Sequence, residues 1–274
     1  MPLLTISCDA YQRGLELSRQ VAEKLDYKFL DRGLLDQVAE RHGVARDELV
    51  KALDEPPGLF GMRSRRRQLL LCHLEAACLE QLQTDDTVCY GVAAHLFLKD
   101  VSHAMAVRVL EDPKVRCQDL AQHRGVPLEK ARTLAQSLDQ NHRRWSLEYF
   151  TQDETDPAIY DMVLSLSTLD QAKAVDIIVD AAGFPKFQAM TYSKKLLADK
   201  ALAARVREKL LPHFPEIRVC AADGTIVARL KTLKRDQRKK QEAVRNLASG
   251  IAGVNYVEVH VNHDFFNQAA SAGR

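Results

Sequence analysis

The stretch LLTISCDAYQRGLELSRQVAEKL, residues 3–25, decides the fold of this chain. Residues 3–7 predict a short buried strand, residues 8–14 a loop, and the remainder an amphipathic helix. A strand, a loop and a helix in this order are typical of folds that hold the phosphates of a nucleotide. Such a loop needs several glycines and a Lys followed by Ser or Thr, but this one keeps a single glycine, Gly14.

The first two thirds of the chain alternate short apolar runs with amphipathic stretches. Strands are predicted at residues 3–7, 27–31, 87–91, 104–110 and 161–166. Helices are predicted between them at residues 33–42, 46–54, 64–83, 112–123, 127–150 and 170–181. This alternation predicts an α/β fold, a five-stranded parallel sheet covered by helices. Ligands of such sheets bind beyond the carboxyl ends of the strands.

Several segments, in this order, resemble the cytidylate kinase-like group of P-loop nucleoside monophosphate kinases. They are TIS (5–7), AEKLDYKFLDRGLLDQVAE (22–40), GVAAHLFLKDVSHAMAVRV (91–109) and DPAIYDMVLSLSTLDQAKAVDIIV (156–179). Together they cover most of residues 3–180. The resemblance implies a P-loop kinase fold with a nucleotide site, and in active members CMP as the acceptor and ATP with magnesium as the phosphoryl donor.

The resemblance also implies which residues face the nucleotide. Asp31 and Arg32 match an Asp-Arg pair after the second strand, which faces the monophosphate, and an Arg there can grip a phosphate through two hydrogen bonds. An equal alternative is that Asp31 caps the next helix and Arg32 is solvated. Asp139 resembles a contact to the base, and Arg116 lies with Arg143 and Arg144 on the two helices that would form the lid.

Lid arginines neutralise the transferred phosphoryl group, so Arg143 and Arg144 are the candidate catalytic residues. Arginines on exposed helix faces are usually solvated. The sequence favours this alternative for both Arg143 and Arg144. No metal site is predicted from the cysteines, because their spacing includes no CxxC pair.

The phosphate loop departs most from the family. There the loop is rich in glycine and a basic residue follows it, whereas here Asp9-Ala-Tyr-Gln-Arg13 fills most of the loop and Leu15 takes the basic position. Each missing glycine places a side chain where a phosphate oxygen approaches, and Asp9 brings negative charge toward a polyanion. Arg13 and Gly14 are the remaining nucleotide-binding candidates of the loop.

The segment after the third strand departs as well. Gly91-Val92 stands where the family usually has a glycine-arginine pair, so a second cation is lost and Gly91 alone remains as a candidate contact. These losses favour a non-catalytic nucleotide- or partner-binding regulatory protein, a pseudoenzyme with a degenerate P-loop. The alternative is an active CMP kinase that transfers phosphate from ATP-Mg through a non-standard loop.

A second domain is predicted at residues 196–274, after a first domain at residues 1–183 and a linker at 184–195. Its predicted elements are a helix (196–211), a strand (216–221), an Asp223-Gly224 turn, a strand (225–230), a helix (235–250) and a strand (254–261). This small α+β domain, of order αββαβ, resembles a BON domain, a module associated with binding phospholipid or other partners. Ala228-Arg-Leu departs from that family, which usually has a glycine after the second strand.

Charge divides the chain in the same place. Residues 184–274 hold 17 Lys and Arg against 8 Asp and Glu, whereas residues 1–183 hold 22 against 29. A dense basic cluster attracts phospholipid, an acidic protein surface or nucleic acid. A solvated helix face and docking of the acidic first domain on the basic second are the alternatives.

Composition limits the class of protein. The chain is 46% hydrophobic and 28% charged, which is ordinary for a globular protein. No segment approaches the roughly 18 apolar residues of a membrane span, and the start of the sequence lacks the pattern of a signal peptide. With six cysteines predicted to be free thiols, the sequence predicts a cytoplasmic protein.

Overall fold

The structure, a computed structural model, describes residues 2–54, 61–232 and 234–262. The chain divides between Lys194 and Lys195 into two compact units. Residues 263–274 of the predicted second domain lie outside the described residues.

The first unit contains a sheet of five strands with helices between them. Its strands are β1 (Leu3–Cys8), β2 (Lys28–Leu30), β3 (Thr87–Tyr90), β4 (Ala104–Leu110) and β5 (Met162–Ser165). Its helices are α1 (Tyr11–Leu25), α2 (Leu34–His42), α3 (Arg46–Asp54), α4 (Gly61–Gln81), α5 (Ala94–Phe97), α6 (Pro113–Arg124), α7 (Leu128–Phe150) and α8 (Gln171–Ala182). The strand order is β2-β3-β1-β4-β5 and every pairing is parallel, which confirms the predicted fold class.

The hydrophobic core fixes where the strands end. Leu4 and Ile6 of β1 are buried with Leu17 of α1 and Ile178 of α8. Strand β1 lies between β3 and β4, and its register places Ser7 beside Arg108. The carboxyl ends of the three central strands therefore meet at one edge of the sheet, where ligands of parallel sheets bind.

The prediction of a loop at residues 8–14 is wrong. Cys8 belongs to β1 and α1 begins at Tyr11, so only Asp9 and Ala10 connect the strand to the helix. The amide of Gly14 donates to the carbonyl of Ala10 at 2.9 Å, which closes a helical turn. The cause is the missing glycines: the residues that replace them adopt helical backbone angles readily, so the helix extends to the strand.

Gly14 lets α1 approach β1 and β3. A β-carbon at Gly14 would overlap the Cβ of Cys8 and the hydroxyl of Tyr90. That hydroxyl donates to the carbonyl of Tyr11 at 2.8 Å, which ties the first turn of α1 to β3. The remaining glycine of the loop therefore serves packing.

The second unit is built on a small mixed sheet. Helix α9 (Thr191–Leu210) crosses the division between the units and is followed by β6 (Arg218–Ala222), β7 (Thr225–Lys231), α10 (Gln237–Ser249) and β8 (Tyr256–Asn262). Strand β7 pairs antiparallel with β6 and parallel with β8, so the predicted αββαβ order is present. The hairpin turns at Asp223 and Gly224, with φ of 51° and 75°, which suits Asp-Gly.

The segment predicted as a linker, residues 184–195, contains a short 3-10 turn at Pro185–Phe187 and the first residues of α9. Within the described part of the chain, no helix combines the length and the apolar character that crossing a membrane requires.

Replacing Gly14 by Ala tests the close packing of α1. The added methyl group overlaps Cys8 and Tyr90, so we expect Gly14→Ala to lower the free energy of unfolding by about 1–3 kcal/mol. The measurement is urea unfolding followed by circular dichroism. Gly250→Ala is the control, because no described atom lies within 4 Å of its added carbon. Equal stability of the two variants would contradict the packing role.

Candidate functional site

A cavity of about 490 Å³ opens at the carboxyl edge of the parallel sheet. Residues from the ends of β1, β3 and β4, the start of α1, and helices α6 and α7 line it. This volume lies within the range of roughly 300–1,000 Å³ that is usual for small-molecule sites. The described lining includes five arginines and five carboxylates: Arg13, Arg32, Arg108, Arg116, Arg124, Asp9, Asp54, Asp119, Asp139 and Glu154.

Arg32 lies in the cavity with its guanidinium held by the protein. Its Nη1 and Nη2 donate to the two carboxylate oxygens of Asp54 at 2.8 and 2.5 Å, and its Nε donates to the carbonyl of Gly91 at 2.9 Å. The guanidinium also stacks over the ring of Tyr11 at 4.6 Å. Although burial alone lowers the pKa of Arg32, the bonds to Asp54 raise it overall. The two guanidinium nitrogens that could bind a phosphate are therefore already bonded to a carboxylate.

Arg116 is bound in the same way. Its two terminal nitrogens donate to Asp139 at 2.9 and 2.7 Å, and Asp9 lies 3.6 Å away on another side. Burial raises the pKa of Asp9 above its usual value, and the bond from the amide of Glu111 and the charge of Arg116 oppose that rise. Arg116 and Asp139, both predicted to contact the nucleotide, are instead bonded to each other.

Arg13 also has an internal partner. Its Nε donates to the carboxylate of Glu111 at 3.0 Å, and the Glu111 side chain is almost fully buried. The backbone amide of Asp112 donates to the other oxygen of Glu111 at 2.9 Å, so this carboxylate is held in place. Three of the five lining arginines thus have a described carboxylate partner.

Other predicted site residues lie outside the described lining of the cavity. Asp31 accepts a hydrogen bond from the amide of Gly33 at 2.8 Å just before α2, although the N-cap of that helix is Gly33 and receives no side-chain cap. Arg143 donates to Asp153 at 2.7 Å on the exposed side of α7, and Arg144 is exposed beside it. Gly14 is buried behind the cavity wall. Of the nine candidates, the cavity brings together Arg13, Arg32, Gly91, Arg116 and Asp139.

A buried histidine and carboxylate cluster forms another part of the wall. The Nδ1 of His142 lies 2.9 Å from Glu154 Oε1, and the Nε2 of His95 lies 3.9 Å from Oε2. Although burial lowers the pKa of His142, the bond to Glu154 raises it overall, and the same bond lowers the pKa of Glu154 against the effect of burial. Burial lowers the pKa of His95 to about 4. His95 is therefore neutral at pH 7, beside the bonded pair of His142 and Glu154.

Sequence reasoning missed this cluster and also Asp54 and Arg108. His95, His142 and Glu154 are far apart in sequence and meet only because α5, α7 and the segment after α7 converge at one edge of the sheet. Helix α7 is fixed there by Trp145, whose indole donates to the carbonyl of Ala52 at 3.0 Å. One signal in the sequence could have indicated Arg108. It is a charged residue in a strand predicted to be apolar, at residues 104–110, and such a residue is a candidate for the ligand site.

A family model described as the cytidylate kinase-like family matches residues 3–168. A cytidylate kinase from Archaeoglobus fulgidus is 23% identical over 186 residues, which are 68% of this chain and 97% of that protein.

Two solved structures are also similar to the chain, each over 66% of its length. One is an uncharacterized protein from Eubacterium ventriosum, with 16% identity, a TM-score of 0.48 and 98% of that chain covered. The other is shikimate kinase from Acinetobacter baumannii in complex with shikimate, with 14% identity, a TM-score of 0.40 and 92% covered.

Proposed function

Because the chain belongs to the cytidylate kinase-like family, we propose that it is a non-catalytic member that binds a nucleotide or a protein partner and acts in regulation. The observation that carries this proposal is the charge balance of the cavity, where five arginines face five carboxylates. A site that binds a triphosphate must offer a large excess of positive charge or a bound cation.

Pairing inside the cavity raises the energetic cost of binding a polyphosphate. To grip a phosphate with Arg32 or Arg116, the ligand must first displace Asp54 or Asp139 from a two-point bond. The displaced carboxylate then stays close to the phosphate and repels it. The connection between β1 and α1 is too short to wrap successive phosphates, since only Asp9 and Ala10 lie between the two elements.

An active CMP kinase that uses ATP-Mg is the alternative function. It is favoured by the extent of the likeness to the Archaeoglobus protein named cytidylate kinase, of which 97% is covered. This alternative requires Asp54 and Asp139 to release their arginines when substrates bind, with magnesium held by the nucleotide phosphates.

A cytoplasmic location is part of the proposal. All six cysteines are free thiols, and Cys72, Cys78 and Cys89 are buried. Free thiols persist where glutathione and thioredoxin keep them reduced. The location itself stays a prediction.

For the second unit we propose a BON-like role in binding an anionic partner: phospholipid, an acidic protein or nucleic acid. The observation that favours it is a row of basic residues across the sheet, in which Arg218 of β6 lies opposite Arg229 of β7 and Arg229 opposite His260 of β8. Arg218 and Arg229 are like charges directly opposite each other, which destabilises a sheet, whereas His260 lies 2.9 Å from Glu258. An anion bound over this row offsets that repulsion.

Calorimetry and a turnover assay test the proposal for the first unit. We expect no heat of binding with ATP-Mg and no CDP formed from CMP and ATP, because the arginines are already paired and the glycine loop is absent. The Archaeoglobus protein serves as the positive control under the same conditions. Turnover in the range of about 1–10³ s⁻¹ that is typical of enzymes would favour the alternative. If CMP alone produces heat of binding, the protein binds a nucleotide. If neither CMP nor ATP-Mg produces heat, the proposal is narrowed to binding of a protein partner.

Elution from a heparin column tests the basic row of the second unit. We expect Arg229→Ser to elute at lower salt than the parent protein, because a polyanion spanning the row loses its central contact. Arg235→Ser is the matched control: it removes the same charge from the same unit at an exposed position beside Asp236. Equal shifts for the two variants would mean that only net charge matters, and would contradict a site at the row.

A further inference from the structure

Arg108 differs from the other arginines that face the cavity near the sheet. Among the described residues it has no carboxylate within ion-pair distance, whereas Arg13 and Arg32 each have one and Arg116 has two. Its Nη1 donates to the hydroxyl of Ser7 at 2.6 Å. The charges of Asp9 and Glu154 reach Arg108 only from beyond ion-pair distance. A partly buried guanidinium without a directly bonded carboxylate is costly, so this position favours an anionic ligand.

The position of Arg108 suits a ligand. It lies on β4 in register with Ser7 of β1, and both residues line the cavity at the carboxyl side of the two central strands. The guanidinium also lies 6.0 Å from the centre of the Tyr160 ring, and the Tyr160 side chain interacts with both Arg108 and Ser7. The phenol of Tyr160 donates to the carbonyl of Glu154 at 2.8 Å, which fixes that ring. Ser7 and Tyr160 therefore position Arg108 in the wall of the cavity.

His95 supplies a second, independent observation. Its side chain is only 9% exposed, yet its Nε2 is buried without a hydrogen-bond partner and lines the same cavity. A buried polar atom without a partner costs free energy unless a ligand or water satisfies it. The neighbouring carboxylate, Glu154, is engaged by His142 at 2.9 Å, which reduces its repulsion of an incoming anion.

The first turn of α1 borders the same space. Ala10, Tyr11, Gln12 and Arg13 line the cavity, and the residue at the N-cap, Ala10, has no polar side chain with which to cap the helix. The first amides of a helix have no partner within it, and they favour an anion. They can serve one oxyanion, although they cannot wrap a chain of phosphates.

We propose that Arg108, with Ser7, His95 and the start of α1, forms a binding site for a single phosphate group. In the non-catalytic protein proposed above, that group is the phosphate of a nucleoside monophosphate, held at Arg108 while Arg32 remains bonded to Asp54. The identity of the nucleoside rests on the proposed function, whereas the phosphate site itself does not. Inorganic phosphate and CMP therefore test the two separately.

Calorimetric titration of the full chain with inorganic phosphate, CMP and cytidine tests the site. We expect phosphate to bind and CMP to bind at least tenfold more tightly than cytidine. Arg108→Gln is expected to weaken phosphate and CMP at least tenfold and to remove the difference between CMP and cytidine. Arg108→Lys keeps the charge and is expected to retain part of the affinity. Arg46→Gln, which breaks an exposed pair with Asp36, is the control and should bind as the parent does.

Two results would overturn the site: wild-type protein that binds neither phosphate nor CMP, or a loss of phosphate affinity in Arg32→Gln that Arg108→Gln does not show. If Arg108→Gln fails to fold by circular dichroism, Arg108→Lys decides, because unchanged affinity for phosphate and CMP would then contradict a direct contact of the guanidinium with the phosphate. If phosphate binds as tightly as CMP, the phosphate site is supported, but the claim that its ligand is a nucleoside monophosphate is contradicted. If the protein forms CDP while Arg108→Gln still weakens the binding of phosphate and CMP, the proposed non-catalytic function is overturned and the phosphate site is retained.

Discussion

The bidentate ion pair between Arg32 and Asp54 is the interaction on which the character of the cavity depends. It joins the end of the second strand to the end of α3 and holds the guanidinium over Tyr11, against the carbonyl of Gly91. In a partly buried site, a charged group keeps the partner that satisfies it best, because separating the two leaves both uncompensated. Arg116 with Asp139 repeats the arrangement between α6 and α7. The cavity keeps the shape of a ligand site while its positive charge is largely cancelled from within.

The start of α1 shows which of its residues the packing of the fold requires. The parallel sheet needs β1 in its centre and a helix packed on it, and burial of Leu4 and Leu17 meets that need whatever the connection contains. Phosphate wrapping needs a run of glycines, which packing does not select for. Once those glycines are absent, the helix extends to Tyr11 and one glycine, Gly14, remains where the backbones of α1 and β1 come too close for a side chain. What is left suits one anionic group, and Arg108 lies where that group would bind.

Much of the fold could be predicted from the sequence, because its signals are local and periodic. Strand β4 at residues 104–110 and helix α3 at 46–54 have the predicted ends, and the Asp223-Gly224 hairpin follows from turn chemistry alone. The helix α5 has only four residues, so the helical spacing of apolar residues cannot be recognised in its sequence. The site was harder, since the partners of its arginines are distant in sequence: no local pattern pairs Arg32 with Asp54, Arg13 with Glu111 or Arg116 with Asp139. The alternative in which Asp31 caps α2 and Arg32 is solvated could not foresee that Arg32 is bonded to Asp54.

The measurement that tests the account most directly is the affinity for inorganic pyrophosphate when the internal carboxylates lose their charge. Asp54→Asn combined with Asp139→Asn removes the charge of the bidentate partner of each guanidinium, and the exposed Asp36→Asn, which also removes a carboxylate from an arginine pair, is the matched control. If internal pairing is what keeps a polyphosphate out, calorimetry will show that the double variant binds pyrophosphate at least tenfold more tightly than the parent or the control. Equal affinity in all three proteins, with the fold intact by circular dichroism, would contradict the account.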